Sequence, residues 1–542
     1  MNSNIAAHRA LLAQILQAHR HDNDIIDKFV FAMEETSSGQ LVASEDELAE
    51  LLRVCTRCSG RQHFIVLDGI DECLGNDRLI QDLLKLKQDS EVMMLLFSRP
   101  TVAPLLWTVP TEQQLLVGRK TSRDIEIYLS RKLELLQKDG FLPANANIEE
   151  LVGHLLTGAD GMFLWAQLMI SYLKCSALTR FQRMEVIEHI ILPEGLEAMY
   201  DRIGELIGKG YQIERNLAKK IIVWLTFTER RLTTRELQNA IAASEQRKLS
   251  KDDTEELEEF TRTVIMTCAG LVETETMYSP IHNRMATFFR FIHLSASEYF
   301  SSGERHLNST FSTTPMEAHV EITGACLHFL TFELPAQPLG GTLGRSATKD
   351  SLSDAFPFYN YAALNWGTHL AATKFDVLRA LQSKDFSSKD QFDLLLLSLA
   401  GFLSQSFVLM AWIEANYVYG KPPPFEPLKQ WSSWSRGLKE FDPPQDLDVS
   451  RLCDDAEELV RYLPELHECW GSKLIMAPGC LWEEVTAFTP CRLLPQTTAT
   501  SVHSMVKDES KSDYLSTQYM CKVSESTSDG LLIGILSIWP SR

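Results

Sequence analysis

At 542 residues the chain is long enough for about two to four domains with substantial cores, and 45% apolar with 23% charged residues is ordinary for a globular protein. Fifty-two basic against seventy-two acidic residues leave a formal charge of −20, which weighs against general binding to nucleic acid or anionic membranes, because phosphate contacts need positive charge. Eleven dispersed cysteines fit a reducing compartment such as the cytoplasm, and the start, "MNSNIAAHRALLAQIL", has no secretory core with a cleavage site.

Residues 9–20 and 45–53 have helical spacing. "HFIVLDGIDEC" (63–73) then gives a strand over 63–67, aliphatic enough to be buried and parallel, ending on Asp68, Asp71 and Glu72. "DRLIQDLLKLKQ" (77–88) reads as a helix and "EVMMLLFS" (91–98) as a second buried strand, which together make a βαβ crossover. "QQLLVGRKTSRDIEIYLSRKL" (113–133) repeats strand then helix, with Thr121 and Ser122 as candidate caps. Residues 1–135 are therefore expected to be α/β, and 136–210 a helical connector that includes "LPEGLEAMYDRIGELI" (192–207), with Pro193 in its first turn.

"AKKIIVWLTFTERRLTTRELQNAI" (218–241) reads as helix, turn, helix, the second opened by a Thr233/Glu236 capping box. A third helix near 254–266 and strand-like runs at 270–275 and 288–295 complete the pattern of a winged helix, placed at 211–303. Residues 336–355 have linker composition, and the rest of 304–542 reads as mostly helical. "LLLLSLAGFLSQSFVLMAWI" (394–413) has the length of a membrane span. Its polar middle and flanking acids, Asp393 and Glu414, predict a buried helix pair instead. The chain closes on the strand-like "DGLLIGILSIWPSR".

Burying a carboxylate without a partner costs several kcal/mol, so three acids at a strand end ask for a cation. Asp68 is the candidate Mg²⁺ ligand, with Asp71 or Glu72 to orient or polarise an attacking water. Arg99, at the end of the next strand, is expected beside Asp68, where it would meet a γ-phosphate or form a plain salt bridge to Asp68 or Asp71. The other half of such a site, a GxxxxGK[ST] loop, is missing upstream, where Gly39 and Gly60 do not fit. "GELIGKG" (204–210) has the wrong spacing and ends on glycine. Cys55 and Cys58 form a CxxC without a second pair, better read as chance cysteines near a helix end than as a zinc site. His293 beside Ser295 lacks a GxSxG elbow, and Ser295 with Glu298 reads as a capping box.

These landmarks in this order resemble the NACHT-type STAND NTPases of filamentous fungi, relatives of NOD-like receptors with a nephrocystin-like NTPase core. The stretches that carry the resemblance are "FIVLDGIDEC", "LLFSRP", "GADGMFLWAQLMISYL", the "LP..L..MY" helix, "RRLTTRELQNAI" and "FRFIHLSASEYF". "FPFYNYAALNWGTHL" (356–370) and the closing run match more weakly. The resemblance implies Asp68 as the Mg²⁺ acid, Gly69 as its small neighbour, Asp71 and Glu72 as the extended acids, and Arg99 as a sensor of the γ-phosphate. It also implies ATP or GTP as nucleotide and protein partners, while the charge balance predicts no nucleic-acid or membrane ligand. The winged helix would pack on the NTPase core as a switch element. The family's P-loop strand would lie between strands 91–97 and 114–117. This chain starts at the helix that follows the P-loop region, so it is expected to be a fragment or truncated form of a signalling receptor, lacking effector domain and C-terminal repeats. As written it should bind little or no nucleotide and be inactive as an NTPase. Two further readings stand beside this: a nucleotide-independent interaction module or regulator, and an unrelated hydrolase using His293 and Ser295.

Overall fold

The computed structural model describes residues 4–495 apart from 37–42, 59–61, 74, 100–101, 116, 118–119, 176–177, 189–194, 248–253, 280, 303–312, 342–345, 374–385, 436–446 and 483–484. The closing strand-like run and Pro193 lie outside these residues. The chain divides into two compact units, Met1–Lys120 and Thr121–Arg542, and its described residues are mostly helical with two small sheets.

In the first unit, helices α1 (Asn4–Ala18), α2 (Asn23–Thr36) and α3 (Glu45–Cys58) precede strand β1 (His63–Leu67), helix α4 (Asn76–Asp89), strand β2 (Val92–Leu96) and helix α5 (Ala103–Thr108). The strands pair in parallel from His63↔Val92 to Leu67↔Leu96, with α4 as the crossover. Their core is made by Leu11, Leu12 and Ile15 of α1, Leu48, Leu51 and Leu52 of α3, Ile65 and Val92 of the sheet, and Leu79, Leu83 and Leu86 of α4. Each such side chain contributes about 1.5–3 kcal/mol when fully buried.

The strands are buried on one face only, which corrects the expectation of a doubly covered sheet. Side chains alternate along a strand, and Phe64, Val66, Met93 and Leu95 on the other face are 70%, 62%, 55% and 55% exposed. The described residues of 114–117 form no strand; Thr111–Gln113 make a 3-10 turn just before them.

The second unit opens with α6 (Ser122–Lys138), α7 (Ile148–Ala159), α8 (Phe163–Lys174), α9 (Arg180–Glu188) and α10 (Gly195–Gly208). Aliphatic residues four apart on α6 (Ile125, Leu129, Leu133) are buried in a core shared with α7 and α8. Thr121 caps α6 by position, but its hydroxyl donates to the Gly161 carbonyl at 2.7 Å and accepts no capping amide from its own helix. Met199, Tyr200, Ile203 and Leu206 form the buried face of α10.

Next come α11 (Gln212–Phe227), α12 (Thr234–Ser244) and α13 (Thr254–Thr267), then an antiparallel hairpin of β3 (Val272–Ser279) and β4 (Arg284–Phe291), and α14 (Leu294–Ser301). The hairpin is centred earlier than its apolar runs suggest, because Ile292 and His293 leave β4 to start α14. An isolated bridge joins Thr233 to Phe288.

The remaining helices are α15 (Pro315–Phe332), α16 (Lys349–Ala355), α17 (Tyr359–Ala372), α18 (Phe386–Leu403), α19 (Ser406–Val418), α20 (Phe425–Ser435), α21 (Val449–Met476) and α22 (Val485–Phe488). The linker-like stretch 336–355 ends in a helix, since Thr348 and Ser351 form a capping box for α16 and Leu352 is buried. The long uncharged run is split between α18 and α19, which bend by 87° at a short break. Trp366, Phe402 and Trp412 pack edge to face around that bend, with centroids 5.3–6.0 Å apart. Among the described residues no single helix is long and apolar enough to cross a membrane. Glu414, read from sequence as a flanking acid, is buried, and it accepts the Leu339 N–H at 3.0 Å and the Trp482 indole N–H at 2.6 Å.

Candidate functional site at the strand ends

The polar cluster forms where β1 and β2 finish. The ladder continues past both strands: the Phe97 N–H donates to the Leu67 carbonyl at 2.8 Å, and the Ile70 N–H to the Phe97 carbonyl at 3.2 Å. Between them Gly69 takes a left-handed conformation, φ 73°, which suits a residue without Cβ. A short 3-10 turn, Ile70–Glu72, follows. Ile70 pins this turn by packing with Ile80 and Val102.

The turn carries Asp71 back to the end of β2. Asp71 Oδ1 accepts the Arg99 backbone N–H at 3.0 Å, and its Oδ2 lies 3.2 Å from Arg99 Nε. Asp71 is nearly covered, while the Arg99 side chain is 41% exposed. Arg99 was expected beside Asp68, with a salt bridge to either Asp68 or Asp71; the structure gives it Asp71, because the Gly69 turn returns Asp71 to the end of β2. Asp68 is exposed and makes no ion pair among the described residues. The Glu72 side chain lies outside the described part. Of the four candidate residues, Asp71 and Arg99 are thus in direct contact.

Such an arrangement, an acid and an arginine at the carboxyl ends of parallel strands, is where ligands of α/β folds usually bind. The exposed Asp68 is of a type that can hold a cation, and the partly exposed Arg99 of a type that pairs with anions.

The other candidates have structural employment. His293, not Ser295, is the N-cap of α14: its Nδ1 accepts the Ser295 N–H at 3.1 Å and lies 2.8 Å from Ser295 Oγ. Ser295 Oγ is also 2.7 Å from the Tyr200 hydroxyl, tying α14 to α10. The expected Ser295/Glu298 box is therefore replaced by a histidine cap. The Thr233/Glu236 box is present as expected. Cys55 is buried among the leucines of the first unit, and the Cys58 side chain lies outside the described part. Residues 204–208 of "GELIGKG" lie inside α10. A second cluster, His8, Glu45 and Asp82, carries no spacing signal in the sequence, since its members come from three separate helices.

Residues 2–99 match the family model described as Nephrocystin 3, N-terminal, a span that includes both strands and the Asp71–Arg99 pair. No curated protein matches the chain. Among solved structures, that of the Aeropyrum pernix Orc1 protein in complex with DNA is similar at 14% identity, covering 52% of this chain and 74% of that one, with a TM-score of 0.18. That likeness is too slight to carry any argument. Residues 2–99 are thus similar to an N-terminal region of the nephrocystin-3 type.

Proposed function

We propose that the chain is part of a NACHT-type STAND NTPase, a fungal relative of NOD-like receptors that signals inside the cell through protein partners. The observation that carries this reading is the Asp71–Arg99 contact at the ends of two parallel strands, inside the residues that match the nephrocystin-3 model. In this reading Asp68 holds Mg²⁺, Asp71 and Glu72 orient water, and Arg99 changes partner from Asp71 to the γ-phosphate when nucleotide arrives. Helices α11–α13 with the β3–β4 hairpin act as a winged helix used as a switch element, not as a DNA reader.

The 542 residues contain no GxxxxGK[ST]. Phosphates would therefore lack several backbone N–H groups and a lysine, each charge-assisted bond contributing about 1.5–3 kcal/mol. Losing three or four of them weakens affinity by about a thousandfold or more. Titration calorimetry with Mg·ATP and Mg·GTP is the test. Weak binding, on the order of millimolar, that is lost in Asp68→Ala and Arg99→Ala supports the NTPase reading. Binding tighter than about 100 μM that vanishes in Asp68→Ala would mean the phosphates are held elsewhere in the chain. No binding at all fits the missing phosphate loop and equally a second reading, a nucleotide-independent interaction module, for which the engagement of Arg99 by Asp71 already speaks.

A further inference from the structure

His8 lies wholly buried on α1. Its Nδ1 is 2.8 Å from the backbone carbonyl of Asn4, one turn earlier. A carbonyl only accepts, so Nδ1 carries the proton and Nε2 of the neutral ring offers a lone pair. Nε2 is buried without a hydrogen-bond partner. It sits 3.6 Å from Asp82 Oδ2 on α4. Glu45, at the start of α3, completes the group, with one donor atom from each residue and all three within 4.8 Å of one another.

A buried lone pair with no hydrogen-bond partner, beside two carboxylates, is a place that a metal ion would satisfy. A proton on Nε2 would draw Asp82 in to about 2.7–2.9 Å, the length of a charge-assisted hydrogen bond. The observed 3.6 Å is too long for that. Two donors bound to one tetrahedral ion at zinc's bond lengths stand about 3.3–3.4 Å apart, which is close to the separation found.

We propose that His8, Glu45 and Asp82 bind a divalent transition-metal ion, zinc foremost. One imidazole nitrogen with two carboxylates is a donor set for zinc and its neighbours, whereas Mg²⁺ and Ca²⁺ prefer all-oxygen shells. The surroundings match those of a bound ion. A metal-ligating histidine donates its other N–H to a backbone carbonyl, as His8 does to Asn4. The Asn4 side chain donates to Glu45 Oε1 at 2.8 Å, and Arg78 Nη1 pairs with Glu45 Oε2 at 3.1 Å. Lys85 lies 3.7 Å from Asp82 Oδ1. These cations already balance the two acids, so the ion would be selected by donor geometry more than by net charge. Its effect is to tie α1, α3 and α4 together around the leucines of the first unit. This site is separate from the strand ends and does not depend on the nucleotide reading.

The test is calorimetry of the chelator-treated full chain with Zn²⁺, and with Co²⁺ as a coloured substitute that reports its ligands in the visible spectrum. The expected result is one ion per chain without cobalt–thiolate absorption, and a zinc-dependent rise in unfolding temperature. His8→Gln and Asp82→Asn should each weaken binding by more than the roughly 10–100-fold that losing an outer partner costs. Asp82 sits at the edge of the cluster, so Asp82→Asn decides the matter if His8→Gln does not fold. Zinc binding unchanged in Asp82→Asn, thiolate absorption from the cysteines, or no binding at all would each overturn the proposal.

Discussion

Arg230 grips Glu236 with two nitrogens, Nη2 to Oε1 at 2.6 Å and Nη1 to Oε2 at 3.1 Å. Glu236 is fully buried, and its Oε2 also accepts the Thr233 N–H at 2.8 Å. Arg230 Nη2 reaches Asn360 on α17 at 3.0 Å, and the guanidinium lies over the Tyr361 ring, 5.3 Å from its centre. One carboxylate therefore closes the cap of α12 and, through Arg230, fastens α12 to α17. The weakly matching stretch "FPFYNYAALNWGTHL" is part of this joint.

Arg230→Met should cost about 3–5 kcal/mol, because it strands a buried charge. Replacing both residues with apolar ones of similar volume should recover much of that loss. Urea unfolding of the three proteins measures it. The pair also sets an acid limit. Burial pushes the Glu236 carboxyl up, yet Arg230, His282 and the Thr233 N–H outweigh it and hold the pKa at about 2 instead of 4.5. A depressed carboxylate contributes stability that is complete above pH 4.5 and is lost as pH falls toward about 2. The shift corresponds to roughly 3 kcal/mol.

His369 produces a separate acid response at milder pH. It is buried, with Nε2 2.7 Å from the Tyr361 hydroxyl and Nδ1 2.8 Å from His319 Nδ1. Burial, then the neighbouring His319, lowers its pKa to about 3 from 6.5. The unfolded chain takes up the proton first, so stability should decline as pH falls below 6.5, by about 2 kcal/mol at pH 5. His369→Phe should flatten the slope between pH 6.5 and 4.5, a window above the Glu236 transition. Denaturant midpoints taken at half-unit pH steps would show it. An unchanged slope would mean that the ring is charged inside the fold.

The two faces of the β1–β2 sheet should answer mutation differently. Ile65 is 5% exposed and packs among the leucines of α1, α3 and α4, so Ile65→Ala should cost about 2–5 kcal/mol. Phe64→Thr and Leu95→Thr change side chains that are more than half exposed and should stay within about 0.5 kcal/mol. Equal penalties on both faces, by thermal or chemical unfolding, would show that the second face is covered in solution.

Much of this was legible from residue types and spacing, and the failures have physical causes. An aliphatic run ending on acids marks β1 and its turn, and Thr233 with Glu236 three residues on marks a helix start, because both signals are local. Which acid meets Arg99 depends on the left-handed turn at Gly69, and a DGID run does not reveal how far the chain doubles back. The open sheet face was missed because apolar composition records a side chain's character and not whether anything lies over it. Glu414 was misread for the opposite reason: a charged residue beside an apolar run looks like its boundary until Leu339 and Trp482 supply donors from elsewhere. The His8 cluster was invisible, since three helices distant in sequence contribute one residue each.

A sheet of two strands has no interior strand. The His63 N–H donates toward β2, to the Glu91 carbonyl at 3.1 Å, so by alternation the amides of Ile65 and Leu67 point the same way, and those of Phe64 and Val66 point to the opposite rim. On β2 the Phe97 amide faces β1, which directs the amides of Met94 and Leu96 outward. Within one short strand, neighbouring amides should therefore exchange hydrogen with solvent at alternating slow and fast rates. Among the described residues, the rim of this small sheet is thus where its backbone meets water.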